Sequence, residues 1–201
     1  MKVFFKIIAY LFHPIFIPMS GALIYFLVTR KYTSLEMKIG NLLPIFILTV
    51  IIPFICFLIL RNIGILQSAL LTSLKERKYA LYISLILLFM IIYKVIPYNY
   101  TPELYYYFIG LVIALFTSLL LLFAKFKSSI HMMGTGSLVM YVISLSIHFE
   151  INITLSISVL VVCMGLVASS RSYFKAHTPL ELFAGLLIGI TSQFLTLSYW
   201  L

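Results

Sequence analysis

The chain has 201 residues, 63% of them hydrophobic and only 9% charged, with a mean hydropathy of +1.16. Soluble domains are far more polar, so a water-soluble enzyme is excluded, and the two cysteines, Cys56 and Cys163, lie in apolar runs that suggest neither a disulfide framework nor a metal site. The net charge of +9 comes from Lys and Arg crowded into connections, which suits anionic lipid headgroups and phosphates; without a soluble basic face, nucleic acid is not an expected partner.

Such a chain belongs in a bilayer, and its length accommodates six or seven spans of about 20 residues with short loops. The expected architecture is a single all-α integral membrane domain over residues 1–201, a polytopic helical bundle. Lys2 and Lys6 precede an apolar run resembling a secretory leader, but no small-residue cleavage site follows and His13-Pro14 interrupts it. It is read as a retained first segment, Val3 to Thr29, kinked by Pro14 or Pro18. Arg30, Lys31, Glu36 and Lys38 form a polar connection to a second span, Leu42 to Leu60, and Asn62 to Thr72 is moderately apolar with Gly64 and Gln67. Lys75-Glu76-Arg77-Lys78 is the densest charge cluster. A third span, Tyr79 to Ile96, leads to a turn between Pro97 and Pro102 whose aromatic belt extends through Tyr105, Tyr106 and Tyr107.

The remaining spans are Leu104 to Ala124, Met132 to Phe149, Ile153 to Ala168 and Leu182 to Leu201. Between them lie two further polar foci, Lys125 to His131 and Ser169 to Glu181. Pairs of spans separate the three foci, so all three converge on one membrane face, where Lys75, Arg77, Lys78, Ser129, His131, Ser170, Arg171, His177 and Glu181 can share a site. That set has phosphate chemistry: forked guanidinium donors, ammonium charge, hydroxyls, and two imidazoles to divide nucleophile and acid roles. Basic residues also flank membrane helices as plain interfacial anchors, and Lys125 and Lys127 fit that description. Thr178-Pro179-Leu180-Glu181 has two equal readings: a capping box starting the last helix, or a carboxylate one turn from His177 that orients its ring.

Elsewhere, His13 before Pro14 reads as structural, and His148-Phe149-Glu150 as a loop at the opposite face. Gly134 with Gly136, and Gly185 with Gly189, read as close helix packing; Met132 and Met133 read as core.

Ser170-Arg171, five residues, His177, three residues and an acid resembles the third signature motif, Ser-Arg-x5-His-x3-Asp, of the type 2 phosphatidic acid phosphatase (PAP2) superfamily, with Glu181 for the usual Asp. Ser128-Ser129-Ile130-His131 is similar to the second motif, Pro-Ser-Gly-His, at Ser129 and His131. Arg77 stands for the Arg of the first motif, Lys-x6-Arg-Pro, whose Lys and Pro positions hold Leu70 and Lys78; Lys75 is a substitute ammonium two residues away. The likeness covers about residues 74–189.

The resemblance implies a membrane lipid phosphatase that needs neither metal nor cofactor. His177 would attack phosphorus to give a phosphohistidine, Glu181 would orient and charge its imidazole, and His131 would protonate the leaving alkoxide and then activate water. Arg171, Arg77, Ser129, Ser170 and Lys75 would hold the phosphoryl oxygens. The implied substrate is an anionic phospholipid or a polyprenyl phosphate or diphosphate. The alternative is a catalytically silent relative that binds anionic headgroups; a transporter ranks last, since almost every polar group lies at a span end. By parity Lys2, Lys6, Arg61, Lys75, Arg77, Lys78, Lys125, Lys127, Arg171 and Lys175 share the site's face, against Arg30, Lys31, Lys38 and Lys94 on the other, which by the positive-inside rule makes the site cytoplasmic. Residues that bind phosphate are not topological signals, however, and the resemblance implies the periplasmic face of a bacterial inner membrane; that is the expectation adopted. Oligomeric state leaves no mark in the sequence.

Overall fold

A computed structural model describes residues 1–65 and 74–201; Gln67, and Leu70 at the first motif's Lys position, lie outside the described residues. Every regular element among the described residues is helical. The helices are α1 (Lys2–Leu11), α2 (Ile17–Val28), α3 (Leu35–Phe46), α4 (Ile52–Asn62), α5 (Leu74–Lys94), α6 (Pro102–Phe123), α7 (Ile130–His148), α8 (Thr154–Tyr173) and α9 (Pro179–Leu197). With α1–α2 and α3–α4 each counted as one interrupted helix, six are long and apolar enough to cross a bilayer. The chain is thus a polytopic all-α integral membrane protein. The remaining helix, α5, has 21 residues and takes the charge cluster Lys75–Lys78 into its first turns, where the sequence placed that cluster ahead of the span.

The interruptions follow from proline. His13 is extended (ψ 137°), as a residue before proline prefers, and its side chain caps the short 3-10 turn Pro14–Phe16. In the second hairpin arm a π turn, Ile47–Ile51, comes just before Pro53, which has no N–H to return to the preceding turn. Side-chain caps start three other helices: Ser34 on α3, Ser129 on α7 and Thr178 on α9. Besides α4, which ends on Gly64 (φ 77°), three helices end alike on a residue with a side chain, with Lys125, Glu150 and Lys175 in the left-handed region (φ 59°, 50° and 50°). The following N–H of Phe126, Ile151 and Ala176 then reaches back to Leu121, Ser146 and Arg171, closing a Schellman motif each time.

Lipid is as apolar as a leucine side chain, so the helices associate through close approach and buried polar ties. α7 is the central helix and packs most extensively on α9. Gly185 and Gly189 face it: a Cβ at either would run into the carbonyl of Ser129 or Met133, and Ser137 Oγ donates to the Gly189 carbonyl at 3.2 Å. Met132 and Met133 are buried, as expected of core residues. Tyr107 departs from expectation. It leaves the interfacial belt of Tyr98, Tyr105, Tyr106 and Tyr199 and is fully buried, stacked on Tyr141 at 4.2 Å with its hydroxyl on the Ile17 carbonyl at 2.8 Å. Two residues along a helix is a half-turn, so Tyr107 and Tyr105 cannot share a face.

The bundle has two polar ends. At one, Glu103 at the start of α6 is buried and accepts from Tyr25 (3.2 Å), Lys31 (2.6 Å) and His148 (3.0 Å), joining α2, α6 and α7. His148 is therefore the last residue of α7 and part of this clamp, where the sequence suggested a loop. The starts of α5, α7 and α9 and the end of α8 meet at the other end.

If close approach holds α9 to α7, Gly189→Ala should lower thermal stability in detergent by about 1–3 kcal/mol through overpacking. Gly165→Ala, where a Cβ meets open space, should change it by less than about 1 kcal/mol and in the stabilising direction. Equal effects would count against the packing account.

Candidate active site

The site grows out of the turn between α8 and α9. The Schellman ending at Lys175 turns the chain inward, Ala176 and His177 follow, and Thr178 caps α9 with Pro179 in the first helical position. His177 is thereby buried at the mouth of the bundle, 7% exposed. Its Nδ1 lies 3.0 Å from Glu181 Oε2 and its Nε2 lies 3.2 Å from Arg77 Nη2. A carboxylate only accepts and a guanidinium only donates. The ring is therefore the Nδ1–H tautomer, with its Nε2 lone pair turned towards the arginine.

Both sequence readings of Glu181 hold at once. Thr178 Oγ1 accepts from the Glu181 N–H at 3.3 Å while Glu181 Oε2 accepts from the Thr178 N–H at 3.0 Å, completing a capping box. That same oxygen accepts from His177, so the cap fixes the carboxylate that fixes the imidazole.

Arg77 reaches this point from α5 and also donates to the Ser128 carbonyl at 3.4 Å. Arg171, at the end of α8, is 5% exposed, and its Nε finds no acceptor among the described residues. A buried guanidinium N–H without a partner calls for an explanation, and an anion is the natural one. Lys127, read from the sequence as an anchor, belongs here too. Partial burial and then the charge of Arg77 lower its pKa, Arg171 adding to this and Glu181 opposing it. Three cations thus feel one another around the Glu181 carboxylate.

The other expected residues divide. Ser129 caps α7 by accepting from the Met132 N–H at 3.4 Å, and its own N–H donates to the Glu181 carbonyl at 3.0 Å, tying α7 to α9 beside the site. Ser170 is buried with its hydroxyl on the Phe5 carbonyl at 2.8 Å. It ties α8 to α1 and is not a phosphate donor in this arrangement. Lys75 is exposed and two residues from Arg77, hence on the other side of α5, so it is not brought into the cluster. Lys78 lies over the Phe123 ring at 3.9 Å. His131, in the first turn of α7, sits beside His13 with ring centroids 5.4 Å apart. The sequence assigned His13 only a structural part at the Pro14 kink, which it plays as a cap, and nothing in its local pattern marks it as a neighbour of His131. Among the described residues no three His, Cys, Asp or Glu side chains converge as metal ligands.

Compared with models of protein families, with curated proteins and with solved structures, the chain finds no match.

Burial pushes the His177 pKa down to about 4; Arg77 and then Arg171 add to this, against the bond and charge of Glu181. The ring is neutral at pH 7, with its Nε2 unprotonated. Because its folded pKa lies below the unfolded value of 6.5, the unfolded chain binds the extra proton first. Its contribution to stability is complete above about pH 6.5 and is lost as pH falls towards 4. Thermal unfolding in detergent between pH 4.5 and 7 should show that loss, and His177→Asn should flatten the slope relative to the parent; an unchanged slope would contradict the buried neutral ring.

Proposed function

We propose that the chain is a membrane lipid phosphatase of PAP2 type, using His177 as nucleophile on a phosphate or diphosphate monoester carried by a lipid. The observation that supports this best is the His177 ring held between a carboxylate and a guanidinium, in the tautomer a nucleophile needs, with a second buried guanidinium beside it whose Nε lacks an acceptor. An entering phosphate draws Arg77 off the ring nitrogen, since anionic oxygens attract a guanidinium more strongly than a neutral imidazole does. Nε2 is then free to attack phosphorus in line with the leaving oxygen. Glu181 stabilises the positive charge that grows on the ring, while Arg77, Arg171 and Lys127 stabilise the phosphoryl oxygens. His131 gives its proton to the leaving alkoxide and later takes one from water.

The site lies where helix ends meet the membrane surface, within reach of a headgroup whose tails stay in lipid. Polyprenyl diphosphate, phosphatidic acid and phosphatidylglycerol phosphate all fit this chemistry. The alternative, a silent relative that binds anionic headgroups, uses the same cations and predicts binding without turnover.

Purified protein should release inorganic phosphate from such a lipid panel without added metal. His177→Ala should lose several orders of magnitude, as the remaining donors supply no nucleophile. Glu181→Gln should keep the cap, with a stability loss below about 1 kcal/mol, yet turn over far more slowly; Glu181→Asp should retain activity. Full activity in Glu181→Gln would leave the carboxylate a cap only, and headgroup binding without release in the parent would favour the silent relative.

We place the protein in a bacterial inner membrane with this face towards the periplasm. In a background with Cys56 and Cys163 replaced by Ser, a cysteine at the exposed Lys125 should react with an impermeant thiol reagent on intact cells. Labelling only after lysis would put the site on the cytoplasmic face.

A further inference from the structure

The first helix touches the site along one stripe, and proline is the reason it can. Phe5 and Ala9 are four residues apart and share a face of α1, and His13 follows just past the end of that helix. Phe5 offers its carbonyl to Ser170 at 2.8 Å. One turn on, the chain tightens ahead of Pro14: the His13 N–H returns to Tyr10 at 3.2 Å, not to Ala9 as a regular turn would require. The Ala9 carbonyl is thus released from the helix ladder, and the His131 side chain takes it as a hydrogen-bond partner. His13 completes the stripe. Its Nδ1 accepts from the Ile15 N–H at 3.3 Å, and its ring meets that of His131 at 84°, edge to face. Arg171 from α8 bears by charge on both rings, and His177 bears on His131.

From this we infer that α1 and the proline break after it are part of the catalytic apparatus, with the Ala9 carbonyl and His13 as the positioning groups of the second histidine. This rests on the phosphatase reading above. The carbonyl does for His131 what the Glu181 carboxylate does for His177: it accepts from the ring and fixes its orientation. The edge-to-face contact with His13 keeps the ring from rotating away.

In the first step the His177 Nε2–phosphorus bond forms as the phosphorus–oxygen bond to the lipid breaks. His131, which takes a proton from solvent once the anionic phosphate is bound beside it, passes that proton to the departing alkoxide, giving the lipid alcohol and a neutral ring. Water then attacks phosphorus, His131 takes the water proton, the phosphorus–nitrogen bond breaks, and inorganic phosphate leaves with both histidines restored. The positioning matters most in the first step, and only where the leaving group is a poor one.

That dependence gives the test. Asn at position 13 keeps an acceptor for the Ile15 N–H, since Asn is a good cap, and removes only the ring. For the purified full chain, kcat/KM reports the steps up to phosphohistidine formation. It should be measured with a lipid phosphate, which expels an alkoxide, and with p-nitrophenyl phosphate, whose phenolate needs no proton. His13→Asn should lose at least about tenfold on the lipid and less than about threefold on the nitrophenyl ester. Equal loss on both substrates would mean that His13 only supports the fold, and no loss on either would remove it from the site; both outcomes overturn the inference. His13→Gln repeats the comparison should the Asn variant not fold. A parent inactive on both substrates would overturn the phosphatase reading and this inference together, whereas an active parent with an unchanged substrate ratio in His13→Asn would overturn this inference alone.

Discussion

One imidazole, donating on one side and accepting on the other, sets the terms for this end of the molecule. His177 Nδ1–H must face an acceptor and Nε2 must face a donor, so the first turns of α9 and α5 have to stand at the same height in the bundle. Backbone ties keep them there. The Ser129 N–H on the Glu181 carbonyl joins the caps of α7 and α9 directly, and the glycine face of α9 lets the two backbones approach until that bond can form. The carboxylate itself is immobilised by the capping box, so its bond to the ring costs little further ordering. Local helix-start chemistry and site chemistry share a single oxygen atom.

Charge is tolerated in such an apolar chain because it is gathered at the two ends. Glu103 would be a costly group inside a bundle if it stood alone. Three donors from α2, the α2–α3 connection and α7 meet it, and Glu103 itself is as buried as the core around it. Between the ends the polar groups are mostly hydroxyls and amides satisfied by helix carbonyls, such as Gln193 on Tyr107 at 3.1 Å and Thr49 on Ile45 at 2.8 Å. At the His177 end the Arg171 Nε finds no acceptor among the described residues.

Much of this could be read from the residues alone. The seven helices follow from apolar run length, and the pairing of His177 with Glu181 follows from a spacing of one helical turn. The meeting of Arg77 with both follows from parity, even though Leu70 and Lys78 flank it where another pattern would have Lys and Pro. What could not be read depends on packing direction or on backbone groups. His13 gains its neighbours only because the helix tightens at Phe12 and releases a carbonyl, and no side-chain pattern reports a carbonyl. Lys127 looks like any interfacial lysine until the fold puts it, partly buried, under the charges of Arg77, Glu181 and Arg171. Ser170 sits in the right motif but points at α1, and Tyr107 sits in a run of tyrosines but faces inward, because a run of like residues says nothing of which one faces which way.

The distribution of these contacts along the chain also has a bearing on how the protein is made. Helices enter the membrane in the order of synthesis, and domains take shape from the N-terminus onwards. Here α1 has partners in α7 and α8, Arg77 has two partners beyond residue 127, and the carboxylate that orders His177 is in α9. The Pro-broken first helix and the charged start of α5 therefore wait, incompletely partnered, through most of translation. Their assembly is a post-insertion event, and a ribosome stalled before α9 would leave a chain that holds His177 and its arginines but lacks the carboxylate that orders the ring.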